Sequence, residues 1–248
     1  MTLQAQPEIL LTAGLIILAA YFIRGIAGFG SGLIAVPLLA HFLPLTFVVP
    51  LVLVTDVSAS IMLGVHTRQH GRWDEIKPLL PFGLIGVVAG TTLLINVPKT
   101  PLLIVLGLFV LLFGVRSVLN LHDTGTVSRL WAAPAGLIGG TVSALFGTGG
   151  PPYVIYLTRR LHDKSELRAT FSLLFLIEGG ARLIVFLLVG LLLDTSLLLA
   201  ILAALPLVAA GLWLGNHAHF GITALAMQRL IGAILVVAGM SLLWHAWV

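Results

Sequence analysis

The chain has 248 residues, 59% of them apolar and only 9% charged, with a formal net charge of +4. An ordinary soluble domain carries about a quarter charged residues, so this chain lacks the polar surface to cover itself in water. Its mean hydropathy of +1.13 fits an α-helical membrane protein. Cysteine is absent, which excludes disulfides, thiolate metal sites and cysteine nucleophiles. The basic residues fall in short segments between apolar runs, the pattern of cytoplasmic loops and not of nucleic-acid binding.

The apolar runs follow one another at about 9–40, 44–65, 78–95, 101–119, 131–157, 169–193, 197–216 and 223–247, most of them long enough to cross about 30 Å of hydrocarbon. The first opens with no basic n-region and no small-residue cleavage site, so it reads as a retained segment. It carries Arg24 and, one turn later, the glycine-rich stretch Gly28-Phe29-Gly30-Ser31-Gly32. The second carries Asp56; the third has Pro81, Gly86 and Gly90; the fourth has Gly107 and Gly114. The fifth contains Gly147-Thr148-Gly149-Gly150-Pro151-Pro152-Tyr153, and the sixth holds Glu178 and Arg182. Pro206, Gly211 and Gly215 mark the seventh, Gly232 and Gly239 the last.

The second half repeats the first. Pro81, Gly86, Gly90, Gly107 and Gly114 recur at an offset of 125, and Gly28 and Gly30 match Gly147 and Gly149 at 119. Asp56 falls opposite Glu178. Eight plain crossings from an inside N-terminus put five basic residues inside and six outside. If 9–40 and 131–157 instead return to their starting side as re-entrant hairpins, ten lie inside and only Lys99 outside. The positive-inside rule selects the second arrangement. The expected fold is therefore all-α and polytopic: a single transport domain over 1–248, with one repeat over about 8–119 and another over about 128–246. Each repeat has one broken hairpin and three transmembrane helices. An odd number of crossings per repeat inverts the second copy, a common build for secondary transporters.

The two glycine-rich stretches, together with the duplicated layout and the chain length, resemble the TauE/SafE family of sulfite and organosulfonate exporters. The resemblance covers nearly the whole chain. Ser31 stands where that family more often has another glycine. The resemblance implies transport of sulfur oxyanions or related organic anions across a bacterial inner membrane.

Backbone breaks at mid-membrane are tolerated where they line a protein-buried or wet cavity. A helix restarting there aims free N–H groups and a positive dipole end at the protein centre, and Pro151 suits its first turn. The expected anion site is Arg24, Gly28, Gly30, Ser31 and Gly32 from the first break and Gly147, Thr148, Gly149, Gly150, Pro151 and Tyr153 from the second. Gly86, Gly90, Gly211 and Gly215 read instead as close-packing residues. The intramembrane charges Arg24, Asp56, Glu178 and Arg182 sum to zero. Such residues mark functional sites by default. Asp56 and Glu178 are the candidate proton-coupling acids, and Arg182, one turn from Glu178, is its expected ion-pair partner. Asp56 ranks first because it has no basic residue within four positions.

The competing transport reading is a divalent-cation carrier. His66, His70 and Asp74 are spaced i, i+4, i+8, and His217 and His219 fall on the same side, a set that suits zinc, nickel or copper. Arg68 and Arg72 interleave with it and repel a cation, so no metal site is expected. No nucleotide-binding motif indicates a primary pump, and no serine–histidine pair lies within the spans to suggest an enzyme. The expected partners are a small anion and the lipid bilayer, with no cofactor and no nucleic acid; a homodimer is left open.

Overall fold

The computed structural model describes residues 7–27, 30–62, 71–119, 125–147, 150–218 and 224–247. Gly28, Thr148, Gly149, His66, His70 and His219 therefore lie outside the described residues. The helices are α1 (Pro7–Ala27), α2 (Ser31–Leu39), α3 (Leu45–Met62), α4 (Trp73–Asn96), α5 (Lys99–Val118), α6 (Ala132–Phe146), α7 (Gly150–Arg160), α8 (Lys164–Leu188), α9 (Thr195–His217) and α10 (Ala224–Trp247), with a 3-10 turn at Arg129–Trp131 before α6. The protein is all-helical among the described residues.

Seven of these helices, α1, α3, α4, α5, α8, α9 and α10, are long and apolar enough to cross a membrane. The other three have 9, 15 and 11 residues, or about 14–23 Å at ~1.5 Å per residue, short of a crossing. The sequence reading expected six spans and two hairpins, and α1 accounts for the difference. The break in 131–157 is nearly central, leaving arms of 15 and 11 residues. The break in 9–40 is off-centre, so its first arm has 21 residues and is of spanning length by itself. Both breaks use left-handed backbone: Gly30 at φ 97° precedes α2, and Gly147 at φ 67° closes α6, a region glycine enters without a Cβ penalty.

The main helix pairs are α4 with α6, α1 with α9, and α5 with α10. Glycines bring their backbones together. A Cβ at Gly86 would stand 2.3 Å from the Leu137 carbonyl oxygen and 2.8 Å from the Thr141 nitrogen. A Cβ at Gly211 would stand 2.8 Å from the Leu18 carbonyl oxygen and 3.0 Å from the Phe22 nitrogen. The second set of residues is the first moved by the two offsets read from the sequence. Gly90 against Thr141 and Gly215 against Phe22 repeat the relation. On the third pair, Gly239 faces the carbonyl of Gly107, and Gly232 faces that of Gly114. These glycines do pack helix to helix, with no room for a methyl group.

The wider packing repeats likewise. α1 lies on α2 and α6 on α7, while α3 meets α9 and α4 meets α8. Tyr21, Val36, Val52, Phe146 and Phe186 belong to the larger buried cluster. A second cluster of Ile76, Leu79, Tyr153, Tyr156, Leu157 and Leu174 fills the space between α4, α7 and α8.

Candidate functional site

Arg24 ends α1 and reaches across to α3. Its Nη1 donates to Asp56 Oδ1 at 2.6 Å and to Ser31 Oγ at 3.0 Å; its Nη2 donates to Ser60 Oγ at 2.8 Å. Ser31, the first residue of α2, donates in turn to Asp56 Oδ1 at 2.6 Å, and the Tyr21 hydroxyl donates to the same oxygen at 2.6 Å. The Tyr21 hydroxyl is also 2.7 Å from Thr55 Oγ1. One carboxylate oxygen thus gathers three donors at the first helix break. The cluster is part-buried, with side-chain exposures of 11% for Arg24 and 20% for Asp56.

The second cluster has a different balance. Glu178 and Arg182 are 4% and 5% exposed, yet no hydrogen bond joins them: both carboxylate oxygens of Glu178 are without a partner. Arg182 Nη1 instead donates to the carbonyl and, at 2.6 Å, to the hydroxyl of Ser143 on α6. The expected local pair therefore gives way to a contact between helices, while the ion pair that does form joins Arg24 to Asp56, 32 positions apart. The proximity argument that ranked Asp56 above Glu178 is thereby reversed.

The offsets relate the two clusters. Arg24 moved by 119 is Ser143, and Ser60 moved by 122 is Arg182. The Arg24–Ser60 hydrogen bond of one half thus recurs as Ser143–Arg182 in the other, with donor and acceptor residues exchanged. Ser60 and Ser143 were not singled out from the sequence, although the same arithmetic, carried one step further, finds both. Tyr21, also missed, carries no such signal.

Of the remaining expected residues, Gly32 lies buried in the first turn of α2, and Pro151 buried in that of α7 beside Gly150. The Tyr153 ring lies against Gly139, whose Cβ would stand 2.6 Å from Cζ. Its hydroxyl is 3.4 Å from the Gly136 carbonyl. Tyr153 and Glu178 line one small cavity with Leu79, Leu80, Gly83 and Leu174.

A third polar group, unanticipated, lies where α4 and α8 begin and α7 ends. Glu75 is buried, and Arg160 donates to it from Nε at 3.2 and 3.1 Å and from Nη2 at 2.7 Å. Tyr156 donates to it at 2.9 Å and Arg129 at 3.4 Å. Arg129 also reaches Asp74 at 3.0 Å, and Arg72 holds Asp74 through two bonds of 3.0 Å and Glu166 through one of 3.1 Å. Hydrogen bonds to Asp74 and Glu166 keep the Arg72 guanidinium protonated even more firmly than an ordinary arginine. The signal in the sequence was Asp74-Glu75 at the head of an apolar run beside a markedly basic side.

Asp74 is thereby engaged by two arginines, and His217 Nδ1 lies 2.8 Å from the Trp213 carbonyl oxygen. Among the described residues no group of histidine and acidic side chains is placed to hold a metal.

The chain is 30% identical over 199 residues, 79% of its length and 83% of the relative's, to the "Probable inner membrane transporter protein TsaS" of Comamonas testosteroni. It is 24% identical over 242 residues, 93% of both chains, to the "Probable sulfite/organosulfonate exporter TauE" of Cupriavidus necator. It is 29% identical over 135 residues, 51% of its length and 21% of the relative's, to the "Probable membrane transporter protein MamO" of Magnetospirillum gryphiswaldense. No solved structure matches the chain. The profile described as "Sulfite exporter TauE/SafE" matches residues 13–242, and with that coverage the chain belongs to the TauE/SafE family of multi-pass membrane transporters.

Proposed function

We propose that the chain is a secondary transporter that moves a small anion, sulfite or an organosulfonate, across the bacterial inner membrane, and that Arg24 and Ser31 take the anion's oxygens. The observation that carries this reading is the Arg24 guanidinium, part-buried at a helix break, bonded to the Ser31 hydroxyl and balanced by Asp56 at 2.6 Å. A guanidinium presents its N–H groups as a planar fork that fits two oxygens of an oxyanion. A sulfite or sulfonate head competes with Asp56 for those donors. Asp56 keeps the buried charge compensated while the site is empty. The relatives' names support the cargo class and the membrane: one is called a sulfite/organosulfonate exporter, another an inner membrane transporter.

The test is thermal stabilisation of the purified protein by sulfite, sulfoacetate, taurine, sulfate, thiosulfate and divalent metal ions in parallel. A ligand at a hundred times its dissociation constant stabilises by about 2.7 kcal/mol. A clear rise in melting temperature with sulfite or a sulfonate is the expected result. Stabilisation by a metal ion and by none of the anions transfers the function to cation transport.

The reading includes two inverted repeats, over about 8–119 and 128–246, in one domain. Three observations support it. The packing partners exchange under the sequence offsets: α4 with α6 corresponds to α9 with α1, and α4 with α8 to α9 with α3. Arg129 and Arg160, at the two ends of the α6–α7 segment, both reach Glu75, as they must if that segment turns back to the side it came from. The same turn gives the ten-to-one distribution of basic residues. Both His162 and Thr195 are exposed. A cysteine at position 162 is expected to react only from the cytoplasm and one at 195 only from outside, with no native cysteine to interfere. Outside labelling at 162 replaces the hairpin with a straight crossing.

A further inference from the structure

Both oxygens of Glu178 are buried and without a hydrogen-bond partner. An ionised carboxylate deprived of water and of donors costs several kcal/mol, and such a group neutralises instead. We propose that Glu178 is a proton-binding site, and that its proton decides whether Ser143 or Glu178 holds Arg182. The inference rests on the transport reading for its consequence alone; the proton itself is detected without substrate.

The surroundings of Glu178 define two states. From α4 it meets Leu79, Leu80 and Gly83, and from α7 it meets Tyr153, in a cavity with no charged lining residue besides itself. From α6 the nearby polar residue is Ser143, whose hydroxyl oxygen accepts from Arg182. On α8 itself Arg182 is one turn away, and from α3 Asp56 is within electrostatic reach of that arginine, although it is held by Arg24 at 2.6 Å. With one carboxyl oxygen protonated, Glu178 is neutral and Arg182 is free to sit on Ser143, as the structure has it. Loss of the proton leaves a bare negative charge one helical turn from the guanidinium, spacing at which opposite charges meet, and Arg182 turns to it.

What Arg182 leaves behind gives the proton a mechanical reading. The Ser143 carbonyl also accepts the Gly147 N–H at 2.9 Å, the bond that closes α6 at its left-handed end. Arg182 therefore ties α8 to the last turn before the second helix break. Only the chemistry of one proton on one oxygen is required; no other covalent bond forms or breaks.

Infrared difference spectra of the protein in lipid nanodiscs, with no anion added, test this between neutral and alkaline pH. The wild type is expected to show the C=O band of a weakly hydrogen-bonded carboxylic acid at neutral pH. The band should vanish in Glu178→Gln, remain in Asp56→Asn, and weaken in Ser143→Ala, where Arg182 loses half its seat. A wild type without the band, a band that survives Glu178→Gln, or one lost in Asp56→Asn overturns the proposal. Should Glu178→Gln fail to fold, Glu178→Asp must shift the band's frequency, and an unshifted band counts against the site. In proteoliposomes, Glu178→Gln is expected to lose sulfite flux driven by a pH gradient while keeping sulfite exchange. Normal pH-driven flux in that variant removes the switch, whereas a wild type inert to sulfite counts against the transport reading alone.

Discussion

Replacing Arg24 by glutamine is expected to weaken sulfite or sulfonate binding about 10- to 100-fold, since hydrogen bonds to charged groups contribute about 1.5–3 kcal/mol. The loss has two sources. The anion loses its cation, and Asp56, still held by Tyr21 and Ser31 at 2.6 Å each, becomes an uncompensated negative charge that repels it. Asp56→Asn should do the opposite. It leaves Arg24 unpaired, so affinity rises, at some cost in stability because a part-buried guanidinium then lacks its counter-charge until an anion arrives. Titration calorimetry on both variants and on the double variant separates these effects, because residues in direct contact are not additive. Wild-type affinity in Arg24→Gln places the anion elsewhere. Equal losses in Arg24→Gln and Asp56→Asn make the pair a structural one.

Glu75→Gln is expected to be the most destabilising exchange of a single charged group. Glu75 is the hub of the polar group at the start of α4. Without its charge, Arg160 loses its carboxylate and Arg129 is left with Asp74. Removing one partner of a buried pair costs about 3–5 kcal/mol. Arg160 is a quarter exposed and Arg129 more than half, so water recovers part of this and a loss of about 2–4 kcal/mol remains. Thermal unfolding in detergent measures it. A melting temperature within error of the wild type means that the network is a surface decoration, and that the end of α7 is fixed by the Tyr156, Leu157 and Leu161 packing alone.

The sequence displayed what depends on backbone shape and hid what depends on side chains meeting across the bundle. Gly86, Gly90, Gly211 and Gly215 were legible because only glycine permits carbonyl-to-Cα approach, so the helix pairs mark themselves in both halves at one offset. The helix breaks were legible for the same reason at Gly30 and Gly147. The charges were harder. Glu178 and Arg182 stand at a spacing that suggests a pair, and spacing on one helix is all that a sequence offers. Burial lets a guanidinium choose between a carboxylate and a serine on another helix, and Arg182 sits on Ser143. Glu75 carried little warning, since its main partner is 85 positions away. The spanning length of α1 went unread because the 9–40 run, read as one hairpin, has its break well past its middle.

The exchange of helix partners makes the two halves interdependent. The first arm of each half lies in the glycine seam of the other half's long fourth helix, α1 on α9 and α6 on α4, and the third seam joins α5 to α10. A chain cut between 119 and 125 would therefore yield two fragments, each with exposed glycine grooves and no seam closed within itself. Neither fragment should persist alone in a bilayer, but the two produced together should find each other.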